Sequence, residues 1–267
     1  MFREPIVAGT FYEANKAKLK TQINRFLKSA KSNYSSIGAI SPHAGYKFCG
    51  TVMAQVYKNL VQAEIYVIVG TSHRGNALCA CSADWKTPLG VVESDKEFLG
   101  RLNLEKSNQA HFDEHSIEVQ LPFLQVFNKN PFKIAPLIVS FLDYNSCKEI
   151  GNKIALASKG RKVCIIASSD FTHYGPTYGY MPFFEDKKEN MYKMDKEAIE
   201  LINNLDTEKF LDFIEGKTIC GGYAIALTME AVKALGCTKG ILLDYYTSGD
   251  VINDYTNAVG YGAIVFL

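Results

Sequence analysis

Lys162-Val-Cys-Ile-Ile-Ala167, followed by Ser168-Ser-Asp170-Phe-Thr-His173-Tyr174-Gly175, is the stretch that decides the fold. Its first part is a short, almost wholly apolar and β-branched run, the pattern of a strand buried on both faces as in a parallel sheet covered by helices. The run then breaks into hydroxyls, a carboxylate and an imidazole. Two other segments repeat this change of character. Ile65-Tyr-Val-Ile-Val69 leads into Gly70-Thr-Ser-His73, and Ile37-Gly-Ala-Ile40 leads into Ser41-Pro-His43-Ala-Gly45-Tyr46. Open α/β sheets bind ligands outside the carboxyl ends of their strands. One histidine after a strand would say little, but three strands delivering His43, His73 and His173 to one edge predict a common pocket.

Outward from these strands, helical and strand-like patterns alternate. Asn15 to Ala30 carries Leu19, Ile23, Phe26 and Leu27 as one apolar stripe. Helices are also expected over Thr51–Val61, from near Ser116 with Pro122 delimiting it, over Lys148–Ser158, Glu185–Asn204 and Thr207–Glu215, and over Tyr223–Leu235 with Gly236 as its cap. Lys133–Val139, Gly240–Tyr246 and Gly260–Phe266 read as further strands. With no repeat, linker or low-complexity tract, this order predicts a single α/β domain over residues 1–267: a mostly parallel central sheet flanked by helices.

The balance of 29 Lys and Arg against 28 Asp and Glu, net charge +1, leaves no basic stripe and argues against nucleic-acid binding. The N-terminal residues do not resemble a signal peptide, and no segment is apolar for long enough to span a bilayer. Seven irregularly spaced cysteines without a CxxC argue against a disulfide framework and for a reducing cytoplasm. Cys79-Ala-Cys81 reads as strand packing, and His111 as a surface residue.

Cys220, in Thr218-Ile-Cys220-Gly-Gly222, precedes a helix whose N-terminal dipole is expected to lower the thiol pKa. A thiolate with two neutral imidazoles would suit zinc, iron or copper. Asp170 reads either as a turn cap or as a pocket residue. Glu114-His115-Ser116 reads either as an ordinary acidic helix start or as part of the pocket.

Ala8–Tyr12 (AGTFY), Ser41–Tyr46 (SPHAGY), Gly70–His73 (GTSH), Asp113–Leu124 (DEHSIEVQLPFL), Ser168–Gly175 (SSDFTHYG) and Thr218–Gly222 (TICGG) together resemble the Memo family, in order and over nearly the whole chain. The resemblance implies a fold similar to class III extradiol ring-cleaving dioxygenases, which hold Fe(II) by two histidines and a carboxylate. By that resemblance His43 and His73 are metal ligands, Cys220 stands in the carboxylate position, and His173 is the acid–base residue with Asp170 beside it. Phe11, Tyr12, Tyr46, Glu114 and His115 are expected to line the pocket. The implied cofactor is a divalent or redox metal, iron first, then copper or zinc. Prokaryotic members imply a radical-SAM protein and a second small protein as partners. Phe11 stands where animal members carry Trp, and Gly222-Tyr223 replaces an Arg-His pair, so the receptor-signalling role of the human relative is not carried over.

Two functions follow as expectations. One is a non-heme metal-dependent oxidoreductase that does not cleave catechols, because a thiolate is softer and more oxidisable than the carboxylate it replaces. The other is a non-catalytic module that recognises a peptide, partner protein or small ligand in the same pocket.

Overall fold

The computed structural model describes residues 1–75 and 78–267. In chain order its elements are β1 (Phe2–Arg3), α1 (Lys16–Ser29), β2 (Gly38–Ser41), α2 (Tyr46–Lys58), β3 (Ile65–Thr71), β4 (Cys79–Ala80), β5 (Asp84–Thr87), β6 (Gly90–Val92), α3 (Lys96–Leu102), α4 (Asn108–Phe112), α5 (Leu121–Phe127), β7 (Lys133–Val139), α6 (Tyr144–Ala157), β8 (Val163–Ser168), β9 (His173–Tyr174), α7 (Lys187–Asn203), α8 (Thr207–Ile214), α9 (Gly222–Ala234), β10 (Gly240–Thr247), α10 (Ser248–Ile252) and β11 (Ala258–Phe266).

The main sheet runs β10-β11-β2-β8-β3-β7-β4, and β9 pairs with β11. Its centre, β2-β8-β3-β7, is parallel as expected. Both flanks are antiparallel, so the sheet as a whole is mixed around that parallel centre. The link between β10 and β11 holds only the short α10, and a parallel return would need a longer crossover. A second small sheet, β1-β5-β6, was not expected.

The central strands bury both faces because successive side chains alternate. Ile65, Val67 and Val69 of β3 join one core, under α3, α6, α7, α8 and α9. Tyr66 and Ile68 join the other, under α1, α2 and α5. β8 divides in the same way, with Val163, Ile165 and Ala167 on one side and Cys164 and Ile166 on the other. Ser41 pairs with Ser168 and Val69 with Ala167. This register brings the residues that follow β2, β8 and β3 out at one level of one edge.

Three helix starts differ from the sequence pattern. α2 begins at Tyr46, behind Gly45, because its buried stripe extends back through Cys49 to Tyr46. α6 begins at Tyr144, where Asp143 caps the N–H of Ser146. The helix expected from Ser116 is a 3₁₀ turn, Glu118–Gln120, leading into α5, with Pro122 in the first turn, where a missing N–H costs little.

The N-terminus is fastened by a wholly buried ion pair. Arg3 pairs through Nη1 with Glu118, and donates through Nη2 to the Glu114 carbonyl at 2.6 Å and through Nε to that of His111 at 3.3 Å. Glu118 also accepts from Tyr12 Oη and from the backbone N–H groups of Ile6 and Val7. Removing one partner leaves the other charge buried and unpaired. Arg3→Ala is therefore expected to destabilise the chain by about 3–5 kcal/mol in urea unfolding. A loss below about 1 kcal/mol, the range of exposed pairs, would contradict this account.

Candidate functional site

A cavity of about 360 Å³ opens at the carboxyl ends of β2, β3 and β8. It is lined by His43, His73, His115, Asp170 and His173, with Phe11, Phe48, Tyr178 and Tyr261 among its aromatic walls. A larger cleft, lined by residues such as Lys16, Phe132 and Arg161, carries no histidine.

His43 follows β2 and is almost wholly buried. Its backbone N–H donates to Asp170 Oδ1 at 2.8 Å, and its Nδ1 lies 3.2 Å from Ser168 Oγ. Ser168 gives its own proton to the Ser116 carbonyl at 2.6 Å and accepts from Gln120 Nε2 at 2.8 Å. Toward His43 the hydroxyl is thus an acceptor, which puts the imidazole proton on Nδ1. The unprotonated Nε2 then accepts from the Cys220 thiol, with Sγ 3.2 Å away. Burial, and the nearby charge of His73, push the His43 pKa down to about 3, so the ring is neutral.

His73 follows β3. Its Nδ1 lies 3.0 and 3.1 Å from the two oxygens of Glu114, and its backbone N–H donates to the same carboxylate. Burial alone would lower its pKa, but the Glu114 bond and charge outweigh that and raise it above the usual histidine value. Burial acts the other way on Glu114, yet hydrogen bonds from His73 and the Ser116 N–H hold its carboxyl far below the usual range. Carboxylate–histidine pairs of this kind orient imidazoles toward metals and leave Nε2 free. Gly70 permits the arrangement: a Cβ there would lie 2.5 Å from Ser116 Oγ and 2.8 Å from Ile117.

His115 stacks on His73, centroids 4.9 Å apart, and meets the edge of Phe11 at 5.0 Å. Burial, then the neighbouring His43, lower its pKa to about 4. His173 has Nδ1 3.0 Å from the carbonyls of both Phe171 and Thr218, so Nδ1 is the donor and Nε2 an acceptor. Its ring meets Tyr178 at 5.0 Å. Burial raises the pKa of Asp170.

Cys220 enters from the turn before α9. Gly221 makes this approach possible, because a Cβ there would lie 2.6 Å from the Ser169 side chain and 2.8 Å from the Ser168 carbonyl. The Gly221 N–H donates to Ser169 Oγ, and Thr71 Oγ1 donates to the Cys220 carbonyl. The expected lowering of the thiol pKa by the helix start does not prevail. Burial, then the charge of Asp170, push the thiol well above its ordinary value.

His43, His73, His173, Asp170 and Cys220 thus meet at one edge, and Phe11 and His115 line the cavity. Potential ligand atoms fall into two tight groups that share His43: His43, His73 and His115, and His43, Asp170 and Cys220. Three expected lining residues are displaced. Tyr12 and Tyr46 pack in the core beside the cavity, where their hydroxyls are consumed by Glu118 and the Val119 carbonyl. Glu114 supports His73 from behind rather than lining the wall. His111 is buried, not at the surface, because α4 tucks it under Trp85 and against the Cys79 carbonyl.

An α/β sheet with imidazoles at its parallel strand ends and a cysteine facing them defines the class. Residues 3–265 match the Memo-like protein family. The chain is 37% identical to a MEMO1 family protein of Nitrosopumilus maritimus, covering 100% of both chains. It is 39% identical to a MEMO1 family protein of Archaeoglobus fulgidus and 35% identical to one of Aquifex aeolicus, each covering 99% of both chains. The chain belongs to the Memo family.

The electrostatics can be read ring by ring. Histidine NMR titration of the metal-free protein should find His43 and His115 neutral at about pH 6 and His73 titrating above the ordinary value near 6.5. Glu114→Gln should bring His73 down, because burial then acts unopposed. A His43 ring that gains its proton near pH 6.5, or a His73 unaffected by Glu114→Gln, would contradict the assigned geometry.

Proposed function

We propose that this chain is a metal-dependent oxidoreductase whose ion sits between His43 and Cys220, with His73, which belongs to the other donor group around His43, drawn in as the third protein donor. The adjoining cavity would give room for a small ligand beside such an ion. One observation carries the reading: the bare Nε2 of His43 faces Cys220 Sγ at 3.2 Å. A tetrahedral ion about 2.1 Å from nitrogen and about 2.3 Å from sulfur separates those donors by roughly 3.5 Å, so the pair already has close to the required spacing. Both flanking imidazoles are fixed through Nδ1, His43 by Ser168 and His73 by Glu114, as metal-binding histidines commonly are.

A thiolate with two imidazoles suits iron, copper and zinc. Iron comes first by the resemblance to extradiol dioxygenases. Such an ion would supply Lewis acidity and, as iron or copper, one-electron chemistry. The protein residues do the rest. Phe11, Phe48 and Tyr178 line the cavity that would hold the ligand. His173, with Nδ1 committed to two carbonyls, offers Nε2 to take a proton from the ligand and return it. Asp170, held by the His43 N–H, supports the charge that His173 then carries. Among the described residues no helix is long and apolar enough to cross a membrane, and the seven free cysteines fit a reducing cytoplasm.

Metal content separates these roles. In protein purified without air, His43→Ala should lower bound iron at least about tenfold, whereas His173→Ala should keep it within about twofold. Equal metal in native and His43→Ala protein would overturn the reading, and loss of metal in His173→Ala would make that residue a ligand instead.

A further inference from the structure

His43, His73 and His115 form a nearly equilateral triangle, with ring centroids 5.4, 5.5 and 4.9 Å apart. One ring nitrogen from each lies within 4.8 Å of the other two. A tetrahedral ion about 2.1 Å from three imidazole nitrogens sits about 3.2 Å from each ring centre, which spaces the centres about 5.2 Å apart. The triangle therefore has the size of a three-imidazole metal site. Cys220 belongs to the other group around His43.

We propose that His115 is a metal ligand. With His43 and His73 it forms a second donor set that keeps the ion when Cys220 is not bound to it. The inference rests on the reading that the ion sits at His43, and adds to that reading a site with two overlapping faces, one with thiolate and one all imidazole.

One movement is required. The His73 and His115 rings are stacked, with planes 12° apart, so their lone pairs converge only after one ring turns about its Cβ–Cγ bond. His73 is held by Glu114 through both the ring and the backbone N–H. His115 is the ring that can turn. Its Nδ1 comes no nearer than 3.6 Å to Glu114, it makes no hydrogen bond among the described residues, and its side chain keeps 24% of its surface exposed. The loop behind it is firm, because Arg3 grips the Glu114 carbonyl. The ring therefore pivots on a fixed backbone. The cations served are borderline divalent ions that accept an all-imidazole set, such as cobalt, zinc and copper. The thiol is the most readily oxidised donor, and a site with a second face survives its loss.

Cobalt(II) titration without air tests this, since its d–d bands report the bound ion and a near-ultraviolet sulfur-to-cobalt band reports the thiolate. Native protein should show both. Cys220→Ala should lose only the sulfur band, and His115→Ala should keep both bands. Each single variant should bind within about tenfold of native, and the double variant should weaken by more than about a hundredfold, beyond the product of the singles. His115→Gln serves as a second replacement if Ala alters the circular dichroism. The proposal fails if Cys220→Ala binds as weakly as the double variant, or if the double variant binds as well as Cys220→Ala. His43→Ala separates the two ideas: undiminished d–d bands there would remove the metal reading itself.

Discussion

Ser168 Oγ is the atom on which the site turns. It donates to the Ser116 carbonyl, accepts from Gln120 Nε2, and is left with acceptor capacity toward His43 Nδ1. That single hydroxyl ties the end of β8 to the segment before α5 and to the residues after β2. It also fixes the His43 tautomer. In a buried pocket a ring cannot choose its tautomer by exchange with bulk water, so the hydrogen-bonding partner on one nitrogen decides what the other presents. Here the other nitrogen presents a lone pair to a cysteine sulfur. With an alanine at 168, the His43 proton would no longer be directed, and the Ser116 carbonyl and the Gln120 amide would each lose a buried partner.

Around that atom the backbone has to come unusually close. Gly70 lets the Ser116–Ile117 segment lie against β3, and Gly221 lets the Cys220 turn lie against Ser168 and Ser169. Both glycines are used for the absence of a side chain rather than for a special backbone angle. The buried Arg3–Glu118 pair then anchors the chain start to the segment that carries Glu114 and His115. An ion pair taken out of water contributes little net stability compared with apolar packing, but it tolerates few alternative arrangements. Its place beneath the histidine cluster matches a need for position more than for stability.

The parallel centre of the sheet was legible because β3 and β8 are continuous apolar runs that end in polar residues, a change of character visible without any long-range information. Gly236, which follows the C-cap Leu235 of α9 with φ +98°, was legible for the same local reason. The antiparallel flanks were not, since β10 and β11 carry no local mark of strand direction. The small sheet was missed because β1 and β5 are short and pair across about eighty residues of chain. His111 was misplaced because the five residues of α4 are too few to show a periodic apolar face. Tyr12 and Tyr46 were assigned to the pocket by their place in motifs, whereas their hydroxyls found partners in the core. The Cys220 environment was half legible: its place at a helix start was correct, but the strength of burial depends on segments distant in sequence, and burial outweighs the dipole. His115 was visible as a candidate lining residue. Its triangle with His43 and His73 depends on the close approach at Gly70, which no spacing in the sequence encodes.

The central claim is that His43, His73 and Cys220 meet one metal ion. X-ray absorption of the native protein loaded with one equivalent of zinc under reducing conditions addresses it directly. The expected result is a shell of imidazole nitrogens at about 2.0–2.1 Å, with the outer-shell scattering of imidazole rings, together with one sulfur at about 2.3 Å. A shell without sulfur, or without imidazole scattering, would contradict the account.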